Sequence, residues 1–470
     1  MPARSQACAA INLVYGSLVK QSVSFTEGPV GRQLTLMALP MVWGLLATMS
    51  FNAVDTFFVA QLGSDALAAM SFTFPVVMLV TSMAIGLGAG TSSVMARRLG
   101  QRDLEGSREL AGDTLLLSFV LSLLMMGLGL ATIEPLFLLL GADATLIPLI
   151  SEYMTVWYLN TPFVIMPMVM SAMMRATGNN KFAGMLMLVS ALVNVALDPL
   201  LIFGWGVVPR MEIAGAAWAT LITRVGMAVA SLYFVTRHLG LMTWPSRHWG
   251  TLKLSWRSIL HIGLPAMTSN MIIPLAGGIT VALVAAHGVD AVAGFGVAMR
   301  IEPVVLIAFY AASGVIGPFL GQNMANEYHA RQDQVLAFVL RFCLLFGLGL
   351  TLLMWLLGAT VAAWFSDSPA VIAVAVAYLT LVPVSYGCAG LVMAVNAAFN
   401  GLGFPVPAMV ISVLRVLGLY LPLALIGQTV WGVNGLFAAT ALSNIIMAAW
   451  GYRWLRRYLY RVQSSAGGAQ

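Results

Sequence analysis

Three carboxylates lie deep inside apolar stretches of this 470-residue chain: Asp55, Asp198 and Glu302. A carboxylate in the hydrocarbon region of a membrane costs about 2.5–3.5 kcal/mol on insertion scales, so each one needs a specific reason to be there. Asn52 precedes Asp55 by three residues and Asn194 precedes Asp198 by four, so each pair shares one face of a helix. The spacing therefore places an amide beside each of the first two acids.

Two carboxylates brought together in a dry cavity would hold a proton between them, because desolvation and like charge both disfavour ionisation. A proton-coupled carrier requires such a pair. Pro199 follows Asp198 directly and predicts a helix kink beside the carboxylate, because proline removes a backbone donor and clashes with the preceding turn. The kink would free carbonyl groups for water, a proton carrier or a cation. The alternative is that one carboxylate only pairs with an intramembrane arginine for packing.

Glu302 allows two interpretations. Arg300 is an awkward direct partner, because residues two apart do not share a helix face unless Pro303 distorts the turn. Glu302 either belongs to a second cation site in the C-terminal half or forms an ion pair with a neighbouring helix. Arg224 and Arg415 also fall within apolar stretches, and both are predicted to be structural, satisfying carbonyls or reaching the membrane surface.

The elements that must hold these residues are membrane-spanning helices. The chain is 60% hydrophobic and 9% charged, so lipid must be the solvent for most of its surface. The apolar runs are too long for barrel strands, which predicts an all-α polytopic membrane protein. Asp113 and Glu152 lie near the ends of runs, where a charge reaches the headgroups. We predict twelve spans, at about 34–58, 69–90, 112–134, 146–173, 182–204, 214–237, 259–285, 294–318, 336–358, 370–395, 406–427 and 434–456.

The chain contains one pattern twice. The segment that begins at Leu39 recurs from Leu264 with a constant offset of 225 residues, which aligns Pro40 with Pro265, Gly63 with Gly288 and Asp65 with Asp290. A later stretch repeats with an offset of 223 residues and aligns Pro199 with Pro422. Two like-oriented halves of long apolar segments indicate a transporter whose substrate site lies between the halves.

The basic residues predict the orientation. With both termini in the cytoplasm, nineteen of the 23 Lys and Arg residues fall in the terminal tails or in cytoplasmic loops, among them Arg175, and Arg210 alone lies in an opposite loop. The net charge of +6 is therefore explained by membrane topology rather than by nucleic-acid binding. The predicted organisation is a cytoplasmic tail (1–30), an N-lobe of six spans (31–238), a cytoplasmic linker (239–258), a C-lobe of six spans (259–458) and a second tail (459–470).

Motifs for soluble chemistry are missing from the sequence. It has no Walker loop, no dinucleotide-binding fingerprint and no hydrolase or metalloprotease motif in a suitable context, so we predict that it is not an enzyme and binds no cofactor. The cysteines Cys8, Cys343 and Cys388 form no metal or disulfide pattern. The first thirty residues lack the uninterrupted core and cleavage site of a signal peptide. Transport energy must therefore come from an ion gradient, the substrate's own gradient or a partner chain.

The ordered motifs of the chain resemble the multidrug and toxic compound extrusion (MATE) family. They are LPM…D at the first span, QLGSDALAA after it, GTSSVMARRLGQRD after the second, MMRATGNNKFA after the fourth, N…DPLLIFGWG in the fifth and AGAAWAT entering the sixth. FLGQNMA and NAAFNGLG echo them in the second half. The resemblance covers residues 30 to 458 and implies two six-helix lobes around a V-shaped cavity.

The resemblance also implies a function: outward extrusion of organic cations and other amphiphiles in exchange for H⁺ or Na⁺. In the DinF-like branch the proton site combines an Asp on the first span with an Asn and an Asp on the fifth, which match Asp55, Asn194 and Asp198. Tyr153 and Thr220 are similar to a Tyr and a Thr that complete that cluster. The Na⁺-type branch is expected to hold acids in the C-lobe, where Glu302 alone remains, although Na⁺ at the N-lobe cluster stays an alternative.

Three interpretations therefore compete. The leading one is a monomeric proton-coupled exporter in the inner (plasma) membrane, which takes small cationic or amphiphilic substrates, contacts lipid and binds no nucleic acid. A flippase for lipid-linked saccharides would need a strongly cationic cavity for pyrophosphate, and only Arg224, Arg300 and Arg415 could supply it. A non-transporting receptor or membrane subunit is the third interpretation, and both the repeat and the buried acids argue against it.

Overall fold

The computed structural model describes residues 28–204, 209–325 and 329–467, and over these ranges the chain is helical with no strand. Cys8 lies outside the described residues, and so does the predicted N-terminal tail as far as residue 27. The N-terminal half forms α1 (Val30–Ala60), α2 (Ser64–Gly100), α3 (Leu104–Leu139), α4a (Ile147–Leu159), α4b (Thr161–Ala176), α5 (Asn180–Phe203) and α6 (Glu212–Tyr233), which ends in a π-helical turn, Phe234–His238.

The C-terminal half repeats this order. It forms α7 (Trp249–Ala285), α8a (Val289–Val305), α8b (Ile307–Ala325), α9 (His329–Ala363), α10a (Pro369–Leu381), a short 3₁₀ turn (Pro383–Ser385), α10b (Tyr386–Gly401), α11a (Pro405–Val413), a π-helical segment (Leu414–Tyr420), α11b (Leu421–Trp431) and α12 (Val433–Gly467). Ten spans of the described chain are long and apolar enough to cross a membrane, and two bent pairs raise the number to twelve. The predicted class, an all-α polytopic membrane protein, is confirmed.

Two spans are bent, the fourth of the N-terminal half and the second of the C-terminal half. The axes of α4a and α4b differ by 43°, and those of α8a and α8b differ by 46°. Pro162 lies at the start of α4b, and Pro303 lies within the last turn of α8a. Each proline lacks a backbone N–H, so the helical ladder is interrupted next to it and the span can bend.

The sequence repeat also reappears as a repeated turn. Gly63 precedes α2 with a φ of 117°, and Gly288 precedes α8a with a φ of 105°. Both values lie in the region that glycine adopts without steric cost. Asp65 and Asp290 follow in the first turn of each helix, where a carboxylate is favoured by the partial positive charge of the helix N-terminus. The offset of 225 residues thus corresponds to one structural motif used twice.

The buried apolar side chains form two clusters, one centred on each half of the chain. The first helix of each half, α1 or α7, contributes side chains to the cluster of the opposite half. Leu34 and Met41 of α1 belong to the cluster of the C-terminal half, whereas Ile259 and Met267 of α7 belong to the cluster of the N-terminal half. Each first helix therefore packs part of its length against the opposite half.

Hydrogen bonds join the two halves at one end of the molecule. Ser93 Oγ of α2 donates to the backbone oxygen of Asn400 in α10b at 2.5 Å. Gln322 Nε2 of α8b donates to the backbone oxygen of Ala176 in α4b at 2.7 Å. Arg97 and Arg98 lie in the last turn of α2, at this same end. The two halves are therefore in direct contact on the side that carries basic residues.

Candidate functional site

The first two predicted acids come together inside the N-terminal half. Asp55 of α1 is 6% exposed and Asp198 of α5 is fully buried. The two carboxylates interact electrostatically, and both interact with the buried hydroxyl of Tyr153 in α4a. Asp55 Oδ1 has no hydrogen-bond partner among the described residues. An unpartnered carboxylate oxygen beside a second carboxylate is well suited to take up a proton.

Asn194 and Thr220 complete this cluster. With its amide oriented so that both of its groups find partners, Asn194 donates from Nδ2 to both carboxylate oxygens of Asp198 at 3.0 Å. Its Oδ1 then accepts from the backbone N–H of Thr220 in α6 at 3.2 Å. All five residues predicted for the N-lobe site thus lie together, and four helices contribute them.

The backbone packing of α1 and α5 explains why the acids meet. A Cβ on Gly184 would lie 2.3 Å from the backbone oxygen of Pro40, so α1 and α5 approach at a distance that no larger residue permits. Asn194 and Asp198 then stack four residues apart on one face of α5. Pro199 lies inside the unbroken helix Asn180–Phe203, and the predicted kink there stays a prediction.

A cavity of about 270 Å³ lies next to the acid cluster in the N-terminal half. Asn194 and Thr223 form part of its wall, so the residue that binds Asp198 also borders the cavity. Arg175 and Arg224 line the same cavity among methionines, threonines and serines, and none of the described lining residues is acidic. The cavity is thus cationic, although two carboxylates lie behind its wall.

A second cavity, of about 240 Å³, lies between the two halves. Arg175 of α4b and Arg415 of the π-helical segment are its charged residues, and no acidic residue is among those described in its wall. Three asparagines, five serines and one tyrosine supply the other polar side chains: Asn270, Asn396, Asn400, Ser92, Ser93, Ser269, Ser313, Ser412 and Tyr310. Arg175 and Ile85 line both cavities, so the two spaces adjoin at these side chains.

The arginines differ from the sequence-based expectation. Arg175 was expected in a cytoplasmic loop, but α4b continues to Ala176 and the side chain is half-buried in the wall of both cavities. Arg224 and Arg415 were expected to satisfy carbonyls or reach the surface, yet each lines a cavity. Sequence periodicity predicts that a helix has faces, but the side that faces a cavity depends on tertiary packing.

Glu302 lies in the C-terminal half, away from the N-lobe acids. The hydroxyl of Tyr378 in α10a donates to its Oε2, and Arg415 is its principal charged neighbour. Arg300 is exposed and lines neither cavity. Glu302 therefore contacts a neighbouring helix through the Tyr378 hydroxyl and has no ion pair within 4 Å among the described residues, so the ion pair and the cation site both stay predictions.

The two acids near span ends have different surroundings. Asp113 is fully buried and accepts hydrogen bonds from the backbone N–H of Ser246 at 2.7 Å and from its hydroxyl at 3.0 Å. It therefore fastens the connection between the two halves rather than reaching the headgroups. Glu152 is exposed, as a headgroup-level charge should be.

A two-lobed bundle of membrane-spanning helices, with polar cavities in one lobe and between the lobes, is the architecture of a membrane transporter. The MatE family model matches residues 40–200 and 265–426, one segment in each half. The chain therefore belongs to the MATE family of transporters, and the resemblance seen in its motifs is confirmed.

Individual relatives agree with this assignment. The chain is 36% identical over 448 residues to a protein of Shewanella oneidensis named "FAD transporter", and the match covers 95% of this chain and 99% of the relative. It is 24% identical over 389 residues to the multidrug export protein MepA of Staphylococcus haemolyticus, with 82% of each chain covered. The crystal structure of the Vibrio cholerae MATE transporter VcmN in the bent form superposes with a TM-score of 0.85 at 30% identity, covering 92% of this chain and 97% of the other.

Proposed function

We propose that this MATE transporter is a proton-coupled exporter that works by alternating access, and that its cargo is a flavin dinucleotide or a closely similar phosphate-bearing aromatic molecule. The observation that carries the cargo proposal is the charge of the cavities. Arg175, Arg224 and Arg415 line them, and no acidic side chain is among the described lining residues. A flavin dinucleotide combines an anionic pyrophosphate with flat aromatic rings, which suits arginines among apolar side chains.

The Shewanella oneidensis relative supports this choice of cargo, because its name gives FAD as the transported molecule and the match covers nearly the full length of both chains. The three methionines in the described wall of the N-lobe cavity, Met168, Met187 and Met227, offer a flexible surface for a large ring system.

The proton-coupling proposal rests on Asp55 and Asp198. The pair is buried, the two carboxylates interact, and Asn194 connects Asp198 to the cavity wall. Uptake of a proton would change the charge of the pair, and Asn194 and Thr220 would transmit that change to α5 and α6. Na⁺ at the same residues is the alternative coupling ion.

Export of organic cations is the second candidate. It is favoured by the acid pair beside the N-lobe cavity and by the name of the Staphylococcus haemolyticus relative, a multidrug export protein. The remaining sequence-based expectations stay proposals: the lobe boundaries, the DinF-like branch, a monomer in the inner membrane, and both termini in the cytoplasm.

Transport by purified protein tests the proposal. The protein is reconstituted into liposomes loaded with FAD or with a fluorescent organic cation, and efflux is followed under an imposed pH gradient, an imposed Na⁺ gradient or neither. We expect FAD efflux driven by the pH gradient alone. Efflux of the dye but not of FAD would establish export of organic cations as the function. Efflux driven by the Na⁺ gradient would establish Na⁺ as the coupling ion.

A further inference from the structure

We infer that the cavity between the lobes is a pyrophosphate-binding site whose two arginines come from opposite lobes, so that the bound group bridges them. This inference deepens the proposed function and rests on it for the identity of the cargo. The site consists of Arg175 from α4b and Arg415 from the π-helical segment, together with hydroxyl and amide groups of the same wall.

Arg175 reaches from the N-lobe towards the C-lobe. A Cβ on Gly314 of α8b would lie 4.0 Å from Arg175 Cδ, so the side chain extends across the boundary between the lobes. Its one hydrogen bond among the described residues is from Nη1 to the neutral Ser171 Oγ at 2.8 Å. No described carboxylate lies within 4 Å of the guanidinium group. Most of its planar set of donors is therefore available to a phosphate group.

Arg415 approaches the same cavity from the C-lobe. It lies in the π-helical segment Leu414–Tyr420, whereas the N-lobe counterpart, the α5 helix, is α-helical throughout its length. Single π-helical turns are frequent at functional sites, since the extra residue re-aims neighbouring side chains. Nη1 of Arg415 is 3.5 Å from Asn444 Oδ1, and Glu302, its acidic neighbour, accepts a hydrogen bond from Tyr378. Arg415 has no ion pair within 4 Å among the described residues.

An independent observation indicates that this wall is built for a polar ligand. Ser92 is 6% exposed, and its hydroxyl has no hydrogen-bond partner among the described residues. The side-chain oxygens of Asn396 and Asn400 are likewise buried and unpartnered in the described structure. All three residues line the cavity between the lobes. Buried polar groups are normally hydrogen-bonded, so three such groups in one wall indicate a ligand that supplies partners.

The chemistry of these groups matches a pyrophosphate attached to a sugar. The two guanidinium groups would bind the phosphate oxygens bidentately, and the Ser92 hydroxyl would donate to one of them. The asparagine oxygens would accept from sugar hydroxyls. A water-soluble dinucleotide and a lipid-linked pyrophosphate both carry this group.

Binding of inorganic pyrophosphate to the full-length purified protein tests the site without requiring transport. We measure affinity by titration calorimetry for the wild type, Arg175→Gln, Arg415→Gln and the double variant. Each single substitution should weaken binding about tenfold or more, because it removes charge-assisted hydrogen bonds. If one group bridges both side chains, the double variant should bind little worse than either single variant, since the two effects are not additive. Arg175→Lys keeps the charge without the planar donors and should bind with intermediate affinity.

Matched substitutions serve as controls. Arg300→Gln changes an exposed arginine of the C-lobe that lines neither cavity, and it should bind pyrophosphate as the wild type does. Arg224→Gln changes the arginine that lines only the N-lobe cavity. Loss of binding in Arg224→Gln with normal binding in Arg175→Gln and Arg415→Gln would overturn the inference and place the anion in the N-lobe. The inference would also be overturned if Arg175→Gln and Arg415→Gln, each eluting as a single folded species, both bound pyrophosphate as tightly as the wild type.

Further ligands identify the source of the pyrophosphate. FAD, riboflavin without phosphate, and an isoprenoid pyrophosphate in lipid nanodiscs are each titrated against the wild type and Arg175→Gln. We expect FAD to compete with pyrophosphate and riboflavin to fail. Competition by the isoprenoid pyrophosphate alone would keep the site and overturn FAD as its ligand. Efflux of FAD that is unaffected by either arginine substitution would keep the proposed function and overturn the site.

Discussion

The carboxylate pair is the smallest unit of the proposed mechanism. Asp55 and Asp198 are held in one buried cluster with Tyr153, Asn194 and Thr220. Spacing alone indicated the partnership of Asn194 with Asp198, because residues four apart stack on a helix. Spacing could not indicate that Asp55 of α1 meets Asp198 of α5, since that contact depends on the close approach of two helices at Gly184, and only the family resemblance implied it.

Removing either proton-binding group tests the pair. We expect Asp55→Asn and Asp198→Asn each to reduce efflux driven by the pH gradient to the rate of protein-free liposomes. Each change removes a titratable group and keeps the shape of the side chain. Glu152→Gln is the control, because Glu152 is an exposed acid near a span end. Coupled efflux at the wild-type rate in both variants would exclude these residues from the mechanism.

The same pair should make the two candidate cargoes respond differently to pH. As pH falls and the pair takes up protons, the N-lobe loses negative charge. Binding of a cationic dye should then weaken, and binding of FAD should be unchanged or stronger. Fluorescence titrations between acidic and alkaline pH measure both affinities, and Asp55→Asn/Asp198→Asn should remove the dependence. A dye affinity that does not vary with pH would contradict the role of the pair.

At the scale of elements, the two halves of the chain use the same pattern with different chemistry. Pro199 of α5 follows Asp198, whereas Pro422 of α11b, its counterpart in the repeat, follows Leu421. The repeated turns at Gly63 and Gly288 could be predicted from sequence because glycine and the acid two residues later recur at one offset. The π-helical segment that carries Arg415 could not, because an inserted turn leaves no regular pattern in the sequence.

The matched prolines allow a controlled test of α5 as a moving element. If Pro199 lets the helix bend beside Asp198, Pro199→Ala restores a backbone donor and favours a straight helix. We expect normal FAD binding with a turnover rate lowered about three- to thirtyfold, as for other substitutions along a coupled element. Pro422→Ala should have a smaller effect, because no carboxylate precedes it. Binding and turnover are measured on the same sample, and equal loss of both in Pro199→Ala would show that the proline serves packing alone.

For the whole molecule, the arrangement of the lobes determines which site residues could be foreseen. The repeat predicted two similar halves, and the cavity between them follows from that division. Arg175 and Arg415 are more than two hundred positions apart in the sequence and come from different lobes. Their shared cavity depends on how the lobes dock, and hydrophobic periodicity within single helices contains no information about docking.

The contact between the lobes at one end determines to which side of the membrane the cavity between them can open. On the proposed topology, the hydrogen bonds from Ser93 to Asn400 and from Gln322 to Ala176 close the cytoplasmic end. Each is worth about 1 kcal/mol, so Ser93→Ala/Gln322→Ala should shift the equilibrium towards a cytoplasm-open state by about thirtyfold. Ala397 lies in the wall of the cavity between the lobes. Ala397→Cys is introduced into a protein whose native cysteines have been replaced. The measurement is the rate at which this cysteine is labelled by an impermeant maleimide added from the cytoplasmic side.

The control for that measurement is a hydrogen bond of the same kind within one lobe. Thr351 Oγ1 of α9 donates to the backbone oxygen of Pro383 at 2.6 Å, and both residues belong to the C-lobe. Thr351→Ala should therefore leave the labelling rate unchanged, because the bond does not cross the boundary between the lobes. If the double variant is labelled no faster than Thr351→Ala, the two bonds do not hold the lobes together. Faster labelling from the opposite side would reverse the proposed topology, because the closed end and its arginines would then face away from the cytoplasm.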